Sequence, residues 1–322
     1  MPRADALWYV ANGRVELRPA EVAAPGPDHV LVRGLYSGIS RGTERLVLAG
    51  AVPPSEYQRM RCPHQEGGFP FPVKYGYALI GQVESEGALQ GRTVFVLHPH
   101  QSLARVSTQA AQPLPDGVPA RRACLGANME TALNVIWDAG VKPGQKVLII
   151  GGGVLGVLIA SLAQRITNTA VTISDIQPAR AATAAQFGVA FAAPADAPVD
   201  QDIVIHASAT EEGLVRALDC AAFEGKVVEA SWFGANKIAL PLGGAFHSQR
   251  LQLISSQVGA VSPAYRSSWS HSRRLSHALA LLRDDRFDAL ITQEIPFAEA
   301  PSRLPEVLRG DSSGFMSALR YA

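Results

Sequence analysis

Hydrophobic and polar residues alternate along the first third of the chain. Residues 7–11 and 15–18 read as two short strands around Asn12-Gly13, a dipeptide suited to the backbone of a tight hairpin. Residues 30–36 and 79–84 alternate in the same way, and 93–97 is a short run of the buried type. Between them, 53–74 mixes Pro, Gly and charge without a period and is expected to be a long surface loop. In the middle the pattern changes. Short apolar runs at 147–150, 171–174, 203–206 and 227–231 alternate with segments of helical period at 131–139, 154–162, 179–187 and 211–222. Gly188 stands just past one of these helices, where a C-terminal cap belongs. Strands alternating with helices imply a parallel sheet covered on both faces. The tail carries an amphipathic helix at 272–282, a strand at 289–295 and a strand-like piece at 316–321.

A length of 322 residues favours two domains. The formal net charge is +1 and no basic block occurs, which argues against a nucleic-acid partner. Residues 1–10 lack the pattern of a signal peptide, and no apolar stretch is long enough to span a membrane. Cys62, Cys124 and Cys220 are too few and too scattered for a disulfide framework, so a reduced, cytoplasmic setting is expected.

The sharpest signal lies where the first of the middle strands ends. Val147 to Gly156 reads strand, G-x-G-x-x-G, helix. Gly151 permits the turn out of the strand, Gly153 lets the backbone approach a pyrophosphate, and Gly156 allows the helix to pack closely. Val154 and Leu155 open a helix whose free N–H groups face the phosphates. Asp175 closes the next strand, where a carboxylate accepts hydrogen bonds from the adenosine ribose and repels a 2′-phosphate. NAD is therefore expected over NADP, with Arg180 close enough to temper the preference. The bland alternative is a ligand-free glycine turn and an Asp that caps a helix. His206 and Ser208 follow the 203–206 strand, on the rim that faces the cofactor in such sheets, and are candidates for the same site.

With those glycines, three further segments resemble the medium-chain dehydrogenase/reductase superfamily. Residues 35–44 (LYSGISRGTE) look like its S-G-I-C-G-T-D segment, residues 73–83 (VKYGYALIGQV) like its P-G-H-E-x-x-G-x-V segment, and residues 290–301 like its return strand and helix. The resemblance implies a Rossmann doubly wound parallel sheet over 128–262 and a GroES-like, β-rich catalytic domain from 1–127 and 263–322. It also implies a homo-oligomer, usually a dimer. Residues 37–44 with 48–53 are similar to the branch containing hydroxyethyl-bacteriochlorophyllide dehydrogenase, which oxidises a secondary alcohol with NAD. The departures are chemical. Zinc-bearing members place Cys at Ser40, His-Glu at Tyr77-Ala78, and a third ligand near Ala127, and their four-cysteine lobe has no counterpart over 96–106. A catalytic zinc needs three ligands of the Cys, His or carboxylate type. No zinc is expected at that position.

Without a Lewis acid, a carbonyl or alkoxide oxygen needs hydrogen-bond donors or a proton relay. By resemblance Ser40, Thr43 and Tyr77 supply hydroxyls there, and Glu44 or Glu130 is a candidate base or orienting group. Each has a structural alternative: a turn, a helix cap, a filled volume. Cys62-Pro-His64 and His98-Pro-His100 are two pairs of metal-capable side chains, or residues that touch substrate, and Arg250 is a candidate anion ligand or a surface ion pair. The leading expectation is an NAD(H)-dependent, zinc-independent oxidoreductase that interconverts an alcohol and a carbonyl on a small molecule. A quinone or enone reductase and a catalytically silent dinucleotide sensor are the alternatives.

Overall fold

The computed structural model describes residues 3–309 and 314–322. The chain divides into two compact units, Met1–Ala127 with Leu275–Ala322, and Asn128–Arg274.

The second unit is built on six parallel strands. Across the sheet they run Ala190–Ala192, Ala170–Ser174, Lys146–Ile150, Gln201–His206, Ala221–Glu229 and Gln252–Ser255. Val147, Leu148 and Ile149 are fully buried, as expected of a central strand covered on both faces. The helix Val154–Ala163 is apolar nearly all round, and Gly156 to Ala163 are all buried. The strand order reverses between Lys146–Ile150 and Gln201–His206. That makes this point the sheet's topological switch, where ligands of such folds bind beyond the carboxyl ends. This unit extends past residue 262 as far as Arg274. The Arg274 guanidinium is buried and bonds Glu130 (3.0 Å), Asn134 (2.6 Å) and the Val258 carbonyl (2.5 Å). Glu130 is thereby committed to an ion pair inside this unit.

The first unit is β-rich. Arg3–Ala11 and Arg14–Glu21 form the hairpin around Asn12-Gly13, with Gly13 at φ +72°. They join Val73–Lys74 and Glu66–Gly67 in a four-stranded sheet. A seven-stranded sheet centres on His29–Gly38, which pairs with Met316–Arg320, Leu79–Val83 and Leu103–Ser107. The tail helix lies at His271–Leu281. The strand expected at 289–295 starts later, at Ile291–Pro296, because Asp285–Leu290 form a 3-10 turn capped by the Asp284 side chain.

Residues 53–74 are not a surface loop throughout. Trp8 pairs with Lys74 and Tyr9 with Val73, and Cys62, Gln65, Phe69, Val73 and Lys74 are buried. Their irregular spacing leaves no period to read, since each side chain is buried separately and not along one face. Among the described residues, no helix is long and apolar enough to cross a membrane.

Candidate functional site

The helix Arg41–Leu48 opens directly after the strand His29–Gly38, and Ser40 is its N-cap residue. The Ser40 hydroxyl does not cap the helix. Instead Glu44 reaches back, and its Oε1 accepts the Ser40 backbone N–H at 2.7 Å. The Ser40 and Thr43 hydroxyls lie near enough to the Tyr77 phenol to pull it down, against the larger effect of burial. Three hydroxyls from two segments thus share one neighbourhood. Burial pushes the Tyr77 phenol up to about 12, so it keeps its proton.

Glu44 is wholly buried, and its role is more specific than a surface or capping carboxylate. Oε2 accepts the Tyr9 hydroxyl at 2.6 Å and lies 3.0 Å from His100 Nε2. Burial, then the neighbouring Glu44 charge, hold the Tyr9 phenol well above its ordinary range, so it donates. His100 is also wholly buried, and its Nδ1 has no hydrogen-bond partner among the described residues. The ring fits because Gly76, at φ +128°, has no side chain; a Cβ there would lie 2.8 Å from His100 Nε2. Tyr9 gave no sign of this role in the sequence, where it is an apolar position of a strand. The only pointer to it is the inward phase of that strand.

The zinc-ligand positions named by resemblance carry hydroxyls at Ser40 and Tyr77 and methyls at Ala78 and Ala127. Neutral hydroxyls and methyls do not fit zinc, which needs thiolate, imidazole or carboxylate. His64 and His98 come together, with ring centroids 5.0 Å apart. Among the described residues, no group of three or more His, Cys, Asp and Glu side chains is placed to hold a metal ion. His98 Nδ1 donates to the Pro99 carbonyl at 2.8 Å, and burial lowers the imidazole to about 3. That depression has a measurable consequence. Between pH 6.5 and about 3 the unfolded chain binds a proton at His98 that the folded chain refuses, so stability falls as pH drops through that window, by up to about 1.4 kcal/mol per pH unit. Urea unfolding of His98→Gln at pH 7, 5 and 4 should show a shallower loss than the parent. Parallel losses would remove His98 as the cause.

In the second unit, Gly151 leaves the Lys146–Ile150 strand at φ +107°, a conformation that suits glycine. A Cβ on Gly151 would sit 2.8 Å from the backbone of Ala207 and Ser208, the residues that follow the adjacent strand. A Cβ on Gly156 would sit 1.8 Å from the Gly151 carbonyl, so helix and turn touch there. Gly153 is different: it is the N-cap residue of the Val154–Ala163 helix, and a Cβ there meets nothing within 4 Å. The space over Gly153, with Val154 and Leu155 in the first helical turn, is the cradle a pyrophosphate needs.

Asp175 is pinned beside this turn. Its Oδ2 accepts the Gly152 N–H at 2.6 Å and its Oδ1 the Gln177 N–H at 2.7 Å. Each oxygen keeps a lone pair for a ribose hydroxyl. Arg180 is buried, and its Cβ flanks the same Gly152 position as that of Asp175. Burial lowers its guanidinium, while the Asp175 charge acts in the other direction. His206 is wholly buried and both ring nitrogens are engaged, Nδ1 with Glu229 and Nε2 with Ser208, each at 2.6 Å. Ser208 Oγ is 3.0 Å from Thr210 Oγ1, which accepts the Gly213 N–H and so caps the helix Glu211–Cys220. Of this pair only Ser208 and not the His206 ring can turn toward a ligand. Arg250 pairs with Glu224 at 2.8 Å on the surface, both exposed. An ion pair of this kind contributes little.

No family model matches the chain. Solved structures match it along its length. A candidate zinc-binding dehydrogenase of Sinorhizobium meliloti, bound to NADP, superposes with a TM-score of 0.78 at 20% identity, covering 99% of this chain and 100% of that one. A short-chain alcohol dehydrogenase of Escherichia coli complexed with NADH gives 0.77 at 14%, with 99% and 100% covered. L-idonate 5-dehydrogenase of Escherichia coli gives 0.79 at 15%, with 99% and 98% covered. At such identities the likeness shows the fold alone: this chain shares the fold of these dehydrogenases, with a Rossmann doubly wound parallel sheet in one unit and a β-rich, GroES-like fold in the other.

Proposed function

We propose that the chain is an NAD(P)-dependent oxidoreductase of the medium-chain type, preferring NAD, that interconverts an alcohol and a carbonyl without zinc. The observation that carries this reading is the open cradle over Gly153 at the sheet's switch point, flanked by the pinned carboxylate of Asp175. The dinucleotide, when bound, supplies the hydride. The protein's part is to place the substrate and manage charge on its oxygen.

Ser40, Thr43 and Tyr77 are the residues assigned to that task. Tyr77 Oη keeps its proton and donates a hydrogen bond to the substrate oxygen, strengthening as negative charge develops there. Ser40 and Thr43 orient the phenol and complete the donor set. Glu44 acts at one remove: it fixes the backbone at Ser40 and so the position of the Ser40 hydroxyl. A donor set of this kind suits a polarised carbon–oxygen bond, which favours alcohol–carbonyl chemistry.

The test is turnover of NADH and NADPH against a panel of aldehydes, ketones, enones and quinones, with an elemental assay for zinc on the same sample. The expected result is carbonyl reduction with NADH at substoichiometric zinc. Turnover confined to enones or quinones, or lost on chelation, overturns the reading. Tyr77→Phe should lower kcat/KM about 10²-fold, since one preorganised donor in a water-excluded site contributes about 3 kcal/mol. Asp175→Ser should weaken NADH about tenfold and leave NADPH within about twofold, read by fluorescence titration. Equal weakening of both would assign Asp175 to the turn alone.

A further inference from the structure

The His206 ring is too deep to touch a ligand, yet it decides what a neighbouring hydroxyl can offer one. It ends the strand Gln201–His206 and is wholly buried, stacked on Phe233 with ring centroids 6.0 Å apart. Ser208, two residues on, is only partly buried and lies beside the glycine turn. Its backbone N is 2.8 Å from where a Cβ on Gly151 would stand. The next residue, Ala209, is left-handed at φ +56° and is held by its N–H bond to Ser231 Oγ at 3.1 Å.

The polarity of this hydrogen-bonded chain is set at its carboxylate end. Glu229 Oε1 accepts the Ser231 N–H at 2.6 Å, which leaves Oε2 facing His206 Nδ1, also at 2.6 Å. A carboxylate only accepts, so Nδ1 carries a proton in either charge state of the ring. In the neutral ring Nε2 is then bare, and it takes the Ser208 hydroxyl proton across 2.6 Å. Thr210 Oγ1 already accepts the Gly213 N–H, and it gives its own proton to Ser208 Oγ at 3.0 Å. Both hydroxyl protons point inward, and Ser208 shows a ligand lone pairs alone. In the imidazolium Nε2 is a donor. Ser208 accepts from it, and its own proton is free to point outward.

A diphosphate is an anion with acceptors only, so it needs the second arrangement. The surrounding charges favour it too. Glu229 lies on the adjacent strand Ala221–Glu229, Glu211 and Glu212 open the helix Glu211–Cys220, and Asp175 and Arg180 flank Gly152. The strand Lys146–Ile150 on the other side presents Ile150 to His206, and the segment that carries Phe233 adds the exposed Lys237. Carboxylates outnumber cations around this turn, and a proton on His206 offsets part of the deficit.

We infer that His206 is a positioning residue for the dinucleotide: it takes up a proton from solvent as the diphosphate binds, and so turns the Ser208 hydroxyl from acceptor to donor. This rests on the proposed dinucleotide site and adds one proton to its binding reaction. Affinity is then highest where the ring is already charged and falls as pH rises.

The probe is NADH, titrated by fluorescence on the full chain from pH 6 to 9. Calorimetry at pH 7.5 in two buffers of different ionisation heat counts the protons. The expected result is a Kd that rises about tenfold across the range, with net proton uptake. His206→Gln should hold Kd within about twofold and abolish the uptake. Ser208→Ala should weaken NADH about fivefold at pH 6 and hardly at all at pH 9, where the parent hydroxyl already points inward. Glu229→Gln should move the fall in affinity to lower pH, because no carboxylate then favours the charged ring. A Kd indifferent to pH, or a slope that survives His206→Gln, overturns the inference and leaves the dinucleotide site standing. Absence of saturable NADH binding at every pH overturns both. Circular dichroism guards against misfolding. If His206→Gln fails it, Ser208→Ala decides: an equal loss at pH 6 and pH 9 overturns the switch.

Discussion

Glu44→Ala should destabilise the β-rich unit by about 4 kcal/mol, one of the larger single-residue losses this chain can show. The wholly buried carboxylate gathers three groups that have no water to turn to: the Tyr9 hydroxyl, His100 Nε2 and the Ser40 N–H. Removing it orphans all three, at about 1–3 kcal/mol each, less whatever relaxation recovers. Glu44→Gln keeps the shape and one acceptor, and its cost should be about half. The pairwise share follows from a double-mutant cycle. Tyr9→Phe alone should cost about 1–2 kcal/mol, yet nearly nothing on top of Glu44→Ala, because the partner is already gone. Urea unfolding of the parent and the four variants reads these numbers. A Glu44→Ala loss below about 1 kcal/mol, or full additivity with Tyr9→Phe, would mean that the carboxylate is not the hub of a network.

The same residues show how much of this site could be read from the chain. A segment resemblance marks Ser40, Thr43, Glu44 and Tyr77 as candidates, and the structure places the Ser40 and Thr43 hydroxyls near the Tyr77 phenol. What could not be read was how deep Glu44 lies and what it holds. Tyr9 is 35 residues away and His100 is 56, and no local period connects them. The Rossmann strands were legible for the opposite reason. Each is a continuous apolar run with its own helix after it, so local pattern and global fold agree. Residues 53–74 failed as a reading because pairing with the first strand is a long-range choice, made by Val73 and Lys74 against Tyr9 and Trp8. His206 shows the limit from the other side. Its place at a strand's carboxyl end was right, but its ring is spent on Glu229 and Ser208, partners that only tertiary structure supplies.

Gly153→Val and Gly156→Val, three residues apart, should fail for different reasons, and the contrast tests the cofactor site more sharply than either alone. At Gly156 the added Cβ would sit 1.8 Å from the Gly151 carbonyl, so helix and turn must separate. Backbone cannot yield as a side-chain tip does, and overpacking of this kind costs about 1–3 kcal/mol or more. The expected result is a lower melting temperature whether or not dinucleotide is present. At Gly153 a Cβ meets no protein atom within 4 Å. The unliganded variant should therefore melt within about 2 °C of the parent, since the added side chain displaces no protein atom and opens no cavity. Its NADH affinity, by contrast, should fall at least about 100-fold, because the valine fills the space a pyrophosphate would take. That loss corresponds to about 2.7 kcal/mol of ligand-dependent stabilisation withheld at saturating NADH, visible as a missing thermal shift. A Gly153→Val protein that still shows the parent's shift would place the dinucleotide elsewhere, and the role of Asp175 would fall with it.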